Sequence, residues 1–191
     1  MEIRHYLDLM HTLEKLKCAP RHSWTSSGRR ESVAEHSWRL AMMAYFVQDE
    51  FPGADLRKLL CMCLFHDVGE AFTGDIPAFE KTEADGAAEA AAVEAWLGGL
   101  PAPYREELLP LFAEMAAQET LEARLYKALD KMEALIQHNE AEISTWLPLE
   151  YELNFVYGAE AVTFSNYLEQ LRVEINKDCA EKIDVAKEKA P

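Results

Sequence analysis

Apolar residues recur at intervals of three and four along almost the whole chain, a period typical of amphipathic α-helices. In the first segment these positions are Ile3, Leu7, Met10, Leu13 and Leu16. The same period predicts helices over residues 2–17, 31–50, 55–70 and 119–140. Richness in alanine and glutamate predicts a weakly amphipathic helix over 83–97, and further helices are expected over 103–117 and 151–178. Convincing strand alternation is scarce. The pattern therefore predicts an all-α, single-domain helical bundle.

The predicted helices are separated by segments rich in Pro, Gly and Ser. Residues 18–30 are expected to form a loop, because Pro20, Gly28 and three serines disfavour a helix. Pro148 precedes the last helix, and Gly158 is a position at which that helix could break. We expect one domain over residues 1–180 and a charged tail over 181–191 that frays.

The composition limits the classes of partner. The chain has 191 residues, 49% of them hydrophobic, which is enough for one well-packed domain. There are 34 acidic and 19 basic residues, a net charge of -15, and this argues against nucleic-acid or anionic-membrane partners. No apolar run reaches membrane-spanning length. The four cysteines form no Cys-x-x-Cys pair, so we expect a reduced, cytoplasmic protein without a thiolate zinc site.

Titratable residues interrupt the apolar pattern at three places. His66 and Asp67 follow the apolar run of residues 56–65, and Glu70 falls on their helix face. His36 lies in line with the apolar stripe of the second helix, and Asp130 lies among small and aromatic residues of the 119–140 helix. Burying such groups is costly unless an ion or hydrogen bonds compensate them.

Two interpretations of these imidazoles and of Asp130 stay open. A histidine on an apolar face is usually a core residue with one hydrogen bond. Asp130 could likewise be the buried partner of a basic residue, the candidates being Arg39, Lys127 and Lys131, although we expect both lysines to turn away from it. Together, two imidazoles and two carboxylates suit a divalent cation such as Mn²⁺, Co²⁺, Fe²⁺, Ni²⁺, Mg²⁺ or Zn²⁺.

Four further residues are candidates for chemistry around such a cation. Glu70 and Asp75 could orient a water molecule and handle protons, whereas the ordinary interpretation of Asp75 is a turn residue. In the 18–30 loop, Arg21 suits a phosphate and Trp24 offers a flat face to a base or sugar. If that loop does not cover the site, Trp24 simply packs over the first helix.

These residues, in this order, resemble the HD-domain metal-dependent phosphohydrolases. The H…HD…D pattern is met by His36, His66-Asp67 and Asp130. Four short stretches are similar to the 5′-deoxynucleotidase branch: Glu31-Ser-Val-Ala-Glu-His36, His66-Asp-Val-Gly-Glu70, Thr73-Gly-Asp75-Ile-Pro77 and Leu129-Asp130-Lys-Met132. The resemblance runs from about residue 10 to 140, and the continuation from Glu70 to Asp75 makes it specific.

The resemblance implies an HD-type α-helical domain with one divalent metal, held by His36, His66, Asp67 and Asp130. It also implies that Glu70 and Asp75 lie near the reacting phosphate and that Arg21 and Trp24 contact the nucleotide. Some members have the Arg and Trp adjacent, whereas here two residues separate them. Alternatives to Arg21 are therefore Arg29 and Arg30.

The positions of the histidines favour a single metal. Dinuclear HD proteins add histidines between the HD pair and the last Asp, and none of the six histidines lies between residues 67 and 130. We therefore expect a phosphomonoesterase that hydrolyses (deoxy)nucleoside 5′-monophosphates to nucleoside and phosphate. The alternatives are a phosphatase of another small phosphomonoester (a sugar phosphate or modified nucleotide), a noncatalytic metal- or nucleotide-binding module, and a plain helical scaffold. The resemblance also implies a homodimer, and the segments 83–117 and 151–178 have apolar residues to spare for an interface.

Overall fold

The computed structural model describes residues 1–189. In chain order the elements are α1 (Ile3–Cys18), β1 (Pro20–Trp24), β2 (Arg30–Ser32), α2 (Val33–Phe46), α3 (Leu56–Phe65), α4 (Glu70–Thr73), α5 (Glu83–Gly98), α6 (Ala102–Ala117), α7 (Leu121–Glu140), α8 (Glu150–Val156) and α9 (Asn166–Lys189). The prediction of an all-α bundle is confirmed, with one small hairpin added to it.

Helices α2, α3 and α7 form the centre of the bundle and pack against one another. Leu40 of α2, Met62 of α3 and Leu129 of α7 are fully buried there. Helix α9 packs on α7, and α1 packs on α2 and α4. The candidate metal ligands lie on α2, on α7 and directly after α3, so this central packing decides whether they meet.

Side-chain caps fix the starts of the two long helices that carry candidate ligands. The hydroxyl of Ser32 accepts the backbone N–H of Glu35 at 3.3 Å, and the Glu35 carboxylate accepts the N–H of Ser32 at 2.9 Å. Thr120 caps α7 by accepting the N–H of Ala123. These bonds satisfy amides that the first helical turn leaves without partners. The cap therefore defines the start of α2, four residues before His36.

The segment predicted as a loop contains an antiparallel hairpin, so that prediction was wrong. β1 pairs with β2, with Trp24 opposite Arg30. Gly28 has a φ of 80° in the connecting turn, a conformation that favours glycine. The side-chain amide of Gln137 on α7 donates to the main-chain oxygen of Trp24 at 2.6 Å and ties the hairpin to the bundle. Strands of three and five residues are too short to show a clear alternation in sequence.

The third helix also ends earlier than its periodicity predicted. Helix α3 stops at Phe65, and a series of turns leads to the short α4, which begins at Glu70. Gly69 lies in this turn, and a Cβ there would come 2.6 Å from Cγ of Glu89 on α5. The close approach of α5 therefore favours glycine at this position.

The C-terminal region is divided at Gly158, the position at which the sequence allowed a break. The predicted 151–178 helix is interrupted after Val156, and Gly158 in the interruption has a φ of 71°. Helix α9 then continues through most of the segment expected to fray, and Ile183 packs with Trp146 and Cys179. The last two residues of the predicted tail lie outside the described residues, and the domain boundary at 180 stays a prediction. Over residues 1–189, no helix combines the length and the apolar character that crossing a bilayer requires.

Candidate functional site

Four side chains from separate segments meet at the centre of the bundle. His36 comes from α2, His66 and Asp67 follow α3, and Asp130 comes from α7. The Nε2 atom of His36 lies 3.3 Å from Nε2 of His66 and 3.1 Å from Oδ1 of Asp130. The Nε2 atom of His66 lies 2.9 Å from Oδ2 of Asp67 and 3.6 Å from Oδ1 of Asp130. One donor atom of each side chain thus points into a common space.

These separations suit a single divalent cation. Donors at about 2.1 Å from an ion are about 3.0 Å apart at neighbouring octahedral positions and about 3.4 Å apart at tetrahedral ones. The donor separations that involve an imidazole nitrogen of this cluster run from 2.9 Å to the 3.9 Å between His36 Nε2 and Asp67 Oδ2. Two imidazole nitrogens and two carboxylate oxygens are a common ligand set for first-row divalent metals. The residues present therefore fit a bound metal.

The electrostatics of the cluster show that its carboxylates need positive charge. Burial lowers the pKa of His66, but the carboxylates of Asp67 and Asp130 outweigh burial and raise it to about 10. Burial would raise the pKa of Asp130, but Lys127 and the two imidazoles hold it well below its usual range. In the metal-free protein the acids are therefore balanced partly by an imidazolium proton, which a bound cation would displace.

Hydrogen bonds behind the donors fix the orientation of both imidazoles. The Nδ1–H of His66 donates to the main-chain oxygen of Cys63 at 2.9 Å, which leaves Nε2 free to act as a ligand. Nδ1 of His36 makes a short hydrogen bond to Oε2 of Glu133. Such outer partners set the tautomer and basicity of metal-binding histidines. The sequence interpretation missed Glu133, although its position three residues after Asp130 on one helix could have indicated it.

The expectation that both lysines near Asp130 turn away was wrong for Lys127. Its Nζ donates to Oδ2 of Asp130 at 2.8 Å, whereas Lys131 bonds to Glu160. Residues three positions apart on a helix face the same side, so Lys127 can reach the carboxylate. Asp130 consequently presents Oδ1 to the cluster and Oδ2 to the ammonium group.

Glu70 lies beside the cluster at the start of α4. Its side chain is buried, and Oε2 has no hydrogen-bond partner among residues 1–189. Burial, together with the charges of Asp67 and Asp75, raises the pKa of Glu70 to about 9. In the metal-free protein Glu70 therefore carries a proton at neutral pH and has an oxygen available for a further partner.

Arg21 reaches the same region from β1. Its guanidinium lies 3.3 Å from a carboxylate oxygen of Glu31, 3.5 Å from one of Glu133 and 3.9 Å from one of Asp75. The side chain is 13% exposed, so the group is buried among acids but still borders solvent. Burial raises the pKa of Asp75, and Arg21 opposes that rise. The structure thus brings Arg21 and Asp75 together next to the four-residue cluster.

Trp24 and the two alternative arginines lie at the outer part of the hairpin. The guanidinium of Arg30 lies 4.5 Å from the centre of the Trp24 ring, and Arg29 pairs with Glu35 at 2.6 Å. Of the three arginines, only Arg21 contacts acids of the central site within the described residues. Trp24 is half-buried, and its contact with a substrate stays a prediction.

A cavity of about 560 Å³, part of it open to solvent, begins beside Arg21 and Asp75. The larger side chains of its apolar lining are Phe79, Leu135, Leu153 and Tyr157. Its other polar lining residues include His22, His138, Glu150 and Asn154. A pocket that is mostly apolar with a few polar groups has the kind of lining that binds small organic ligands.

A sequence model of the HD domain matches residues 13–172, which include the whole four-residue cluster and the hairpin. The chain belongs to the HD-domain family. This confirms the resemblance inferred from the motifs.

Relatives of this HD domain with high coverage carry related names. Human 5′-deoxynucleotidase HDDC2 is 32% identical over 143 residues, which cover 73% of this chain and 69% of that protein. The protein of the same name from Danio rerio is 35% identical over 142 residues, which cover 71% of this chain and 69% of the relative. A solved structure from Magnetospirillum magnetotacticum MS-1, described as a predicted metal-dependent phosphohydrolase, matches with a TM-score of 0.78 at 27% identity, covering 93% of this chain and 92% of that one.

A second polar group of the HD domain also lines the cavity. Nε2 of His22 lies 2.9 Å from Oε1 of Glu150, and Nε2 of His138 lies 3.4 Å from the same oxygen. Three such residues are a possible ligand set for a metal. However, Nδ1 of His22 faces the guanidinium of Arg30 at 3.5 Å, so it accepts there and its Nε2–H donates to Glu150. The hydrogen-bonded arrangement therefore fits better, and it joins the hairpin to α7 and α8.

Proposed function

We propose that this protein is a metal-dependent 5′-nucleotidase that hydrolyses (deoxy)nucleoside 5′-monophosphates to nucleoside and phosphate. The observation that carries the proposal is the meeting of two imidazoles and two carboxylates next to Arg21, Glu70 and Asp75. Relatives named 5′-deoxynucleotidase, at 32% and 35% identity over most of the chain, support the choice of substrate.

In this proposal one divalent cation (Mn²⁺, Co²⁺, Fe²⁺, Ni²⁺, Mg²⁺ or Zn²⁺) is held by His36, His66, Asp67 and Asp130. When bound, it supplies positive charge for the phosphoryl oxygens and lowers the pKa of water. Hydrogen bonds from Nδ1 of each imidazole, to Cys63 and to Glu133, hold both rings with Nε2 towards the position of the cation. Asp67, Asp130 and Arg21 then define where the phosphate can lie.

The remaining residues bind the ester and move protons. Arg21 offers parallel N–H groups to two phosphate oxygens, for which its planar guanidinium is suited. Asp75 accepts a hydrogen bond from the attacking water and takes its proton. Glu70, which is buried beside the cluster with a carboxyl oxygen that has no partner among residues 1–189, would give a proton to the departing 5′ oxygen. The products are the nucleoside alcohol and phosphate, so atoms and charge balance.

The nucleoside would occupy the cavity that begins at Arg21 and Asp75. Aromatic and aliphatic side chains, including Phe79 and Tyr157, offer it an apolar surface. Trp24, at the end of β1, would form a further wall of the substrate site. A sugar phosphate would leave most of this apolar surface uncovered, so the cavity favours a nucleotide over a small polar ester.

The experiment is phosphate release from purified protein after removal and return of single metals. The panel contains the deoxynucleotides, the ribonucleotides and several sugar phosphates. We expect metal-dependent turnover of the nucleotides, and loss of both metal and turnover in Asp67→Ala. Asp184→Ala, at an exposed position on α9, is the matched control. Undiminished activity of the Asp67 variant would show that the proposed centre is not the active one.

Homodimerisation and a cytoplasmic location are also part of the proposal. Exposed apolar side chains are concentrated on α1 and α2, where Ile3, Phe46 and Trp38 are 79%, 78% and 62% exposed. This surface, rather than the segments 83–117 and 151–178, is the better candidate for a dimer contact. The four cysteines are free thiols, which agrees with a reducing compartment. Sedimentation analysis tests the dimer, and cell fractionation tests the cytoplasmic location.

A further inference from the structure

Glu133 occupies an unusual position between two functional parts of the site. It lies one helical turn after Asp130 on α7, and its side chain is completely buried. A buried carboxylate is strongly unfavourable unless charged or hydrogen-bonding partners surround it. The partners of Glu133 therefore explain why an acid is present in the core.

The two oxygens of Glu133 have different partners. Oε1 accepts Nε of Arg39 at 2.6 Å. Oε2 accepts both Nδ1–H of His36 and, at 3.5 Å, a terminal N–H of Arg21. A single oxygen atom thus contacts a candidate metal ligand and the candidate phosphate-binding arginine.

The contact with His36 determines how that imidazole faces the metal cluster. Because Nδ1 donates to Glu133, Nε2 is the unprotonated nitrogen when the ring is neutral, and it points at Asp130 and His66. A carboxylate partner also increases the basicity of the ring. Removing the negative charge should therefore weaken metal binding without removing a ligand.

The contact with Arg21 determines where the guanidinium lies relative to α7. Arg21 is held by acids from three segments: Glu31 on β2, Asp75 after α4 and Glu133 on α7. Only Glu133 belongs to the helix that also carries Asp130. Its charge therefore draws the arginine of the hairpin towards the helix that holds the metal ligand.

We propose that Glu133 is a positioning residue that couples the metal affinity of His36 to the placement of Arg21 against the phosphate. The metal half of this inference depends only on the four-residue cluster. The phosphate half rests on the proposed function. Glu133 touches neither substrate nor metal and acts through its two partners.

The test is the Glu133→Gln variant, which keeps the shape and removes the charge. We expect metal binding, measured by calorimetry on the metal-free protein, to weaken about 10- to 100-fold. With metal saturating, we expect inorganic phosphate to bind about tenfold more weakly by the same method. Glu140→Gln is the matched control, because Glu140 is the other carboxylate partner of Arg39 and touches neither His36 nor Arg21. This control variant should leave the dissociation constants for the metal and for phosphate unchanged.

Comparison of the single variants with the double variant distinguishes an effect of Glu133 through Arg21 from a general disturbance of the structure. Arg21→Met alone should weaken phosphate binding but leave the metal constant within about twofold, and adding Glu133→Gln should then cost little further phosphate affinity. If Glu133→Gln does not fold, Glu133→Asp, which keeps the charge but withdraws the oxygens, takes its place with losses in the same direction. Metal binding unchanged in the Glu133 variant, or equal further loss of phosphate affinity in the double variant, would overturn the inference. Both probes are measured without nucleotide turnover, so a failed nucleotidase assay does not affect them.

Discussion

Metal binding and pH should be coupled through His66. In the metal-free protein its pKa is raised to about 10, against about 6.5 for an unperturbed imidazole. Because the folded-state pKa is raised, the proton contributes stability that is fully present below about pH 6.5 and is lost as the pH rises towards 10. Between pH 7 and 9 the metal-free protein should lose about 2.5 kcal/mol of its unfolding free energy from this group.

Metal affinity should change in the opposite direction over the same interval. A metal ligand must be unprotonated, so binding near neutral pH has to displace the proton of His66. For one displaced proton, the apparent affinity rises about tenfold per pH unit, or about 100-fold from pH 7 to 9. Added metal should therefore stabilise the protein more at pH 9 than at pH 7.

The assay is calorimetric titration in buffers that differ in ionisation enthalpy. The dependence of the observed heat on the buffer counts the protons released, and we expect about one for each metal ion. His138→Gln is a suitable control, because this imidazole lies in the group around Glu150 and not among the four proposed ligands. No proton release together with a metal affinity that is constant from pH 7 to 9 would refute the assignment of His66 as a ligand.

Three substitutions test the framework around the site. Ser32→Ala removes the α2 cap and should lower the unfolding free energy by about 1 kcal/mol in urea denaturation, with the metal constant unchanged. Gly158→Ala should cost about 2 kcal/mol in the same assay, because φ is 71° and the new Cβ would lie 2.8 Å from Cβ of Lys131; an equally stable variant would contradict this. Trp24→Ala should raise KM for nucleotides several-fold and leave kcat nearly unchanged, and an unchanged KM would remove Trp24 from the substrate site.

The long helices and the ligand motifs could be predicted because both depend on local sequence. Amphipathic periodicity identified α1, α2 and α7 to within a few residues, and the alanine- and glutamate-rich composition identified α5. The hairpin could not be predicted in this way, since its strands gain their stability from pairing and from the bond between Gln137 and Trp24. The end of α3 at Phe65 was missed for a related reason. Turn residues 66–69 follow Phe65, and Gly69 among them lies against Glu89 of α5, a contact that periodicity within one segment does not contain.

The candidate site was predictable only where residue types are unusual for their position. His36, His66 and Asp130 were conspicuous because they interrupt apolar stripes. Glu133 and Glu31 were not, because the sequence contains 34 acidic residues and most of them lie at the surface. What distinguishes these two is burial, and burial depends on how the hairpin and α2 pack against α7.

The same buried acids explain how a protein of net charge -15 could bind an anionic ester. Asp67, Asp130 and Asp75 would repel a phosphate if their charges were unbalanced. Arg21, which three acids hold in place, supplies a single positive charge at this point. A divalent cation is then the main source of uncompensated positive charge at this point. If the proposed function is right, the metal must bind before the phosphate, and phosphate affinity of the metal-free protein should be too weak to measure by the same calorimetry.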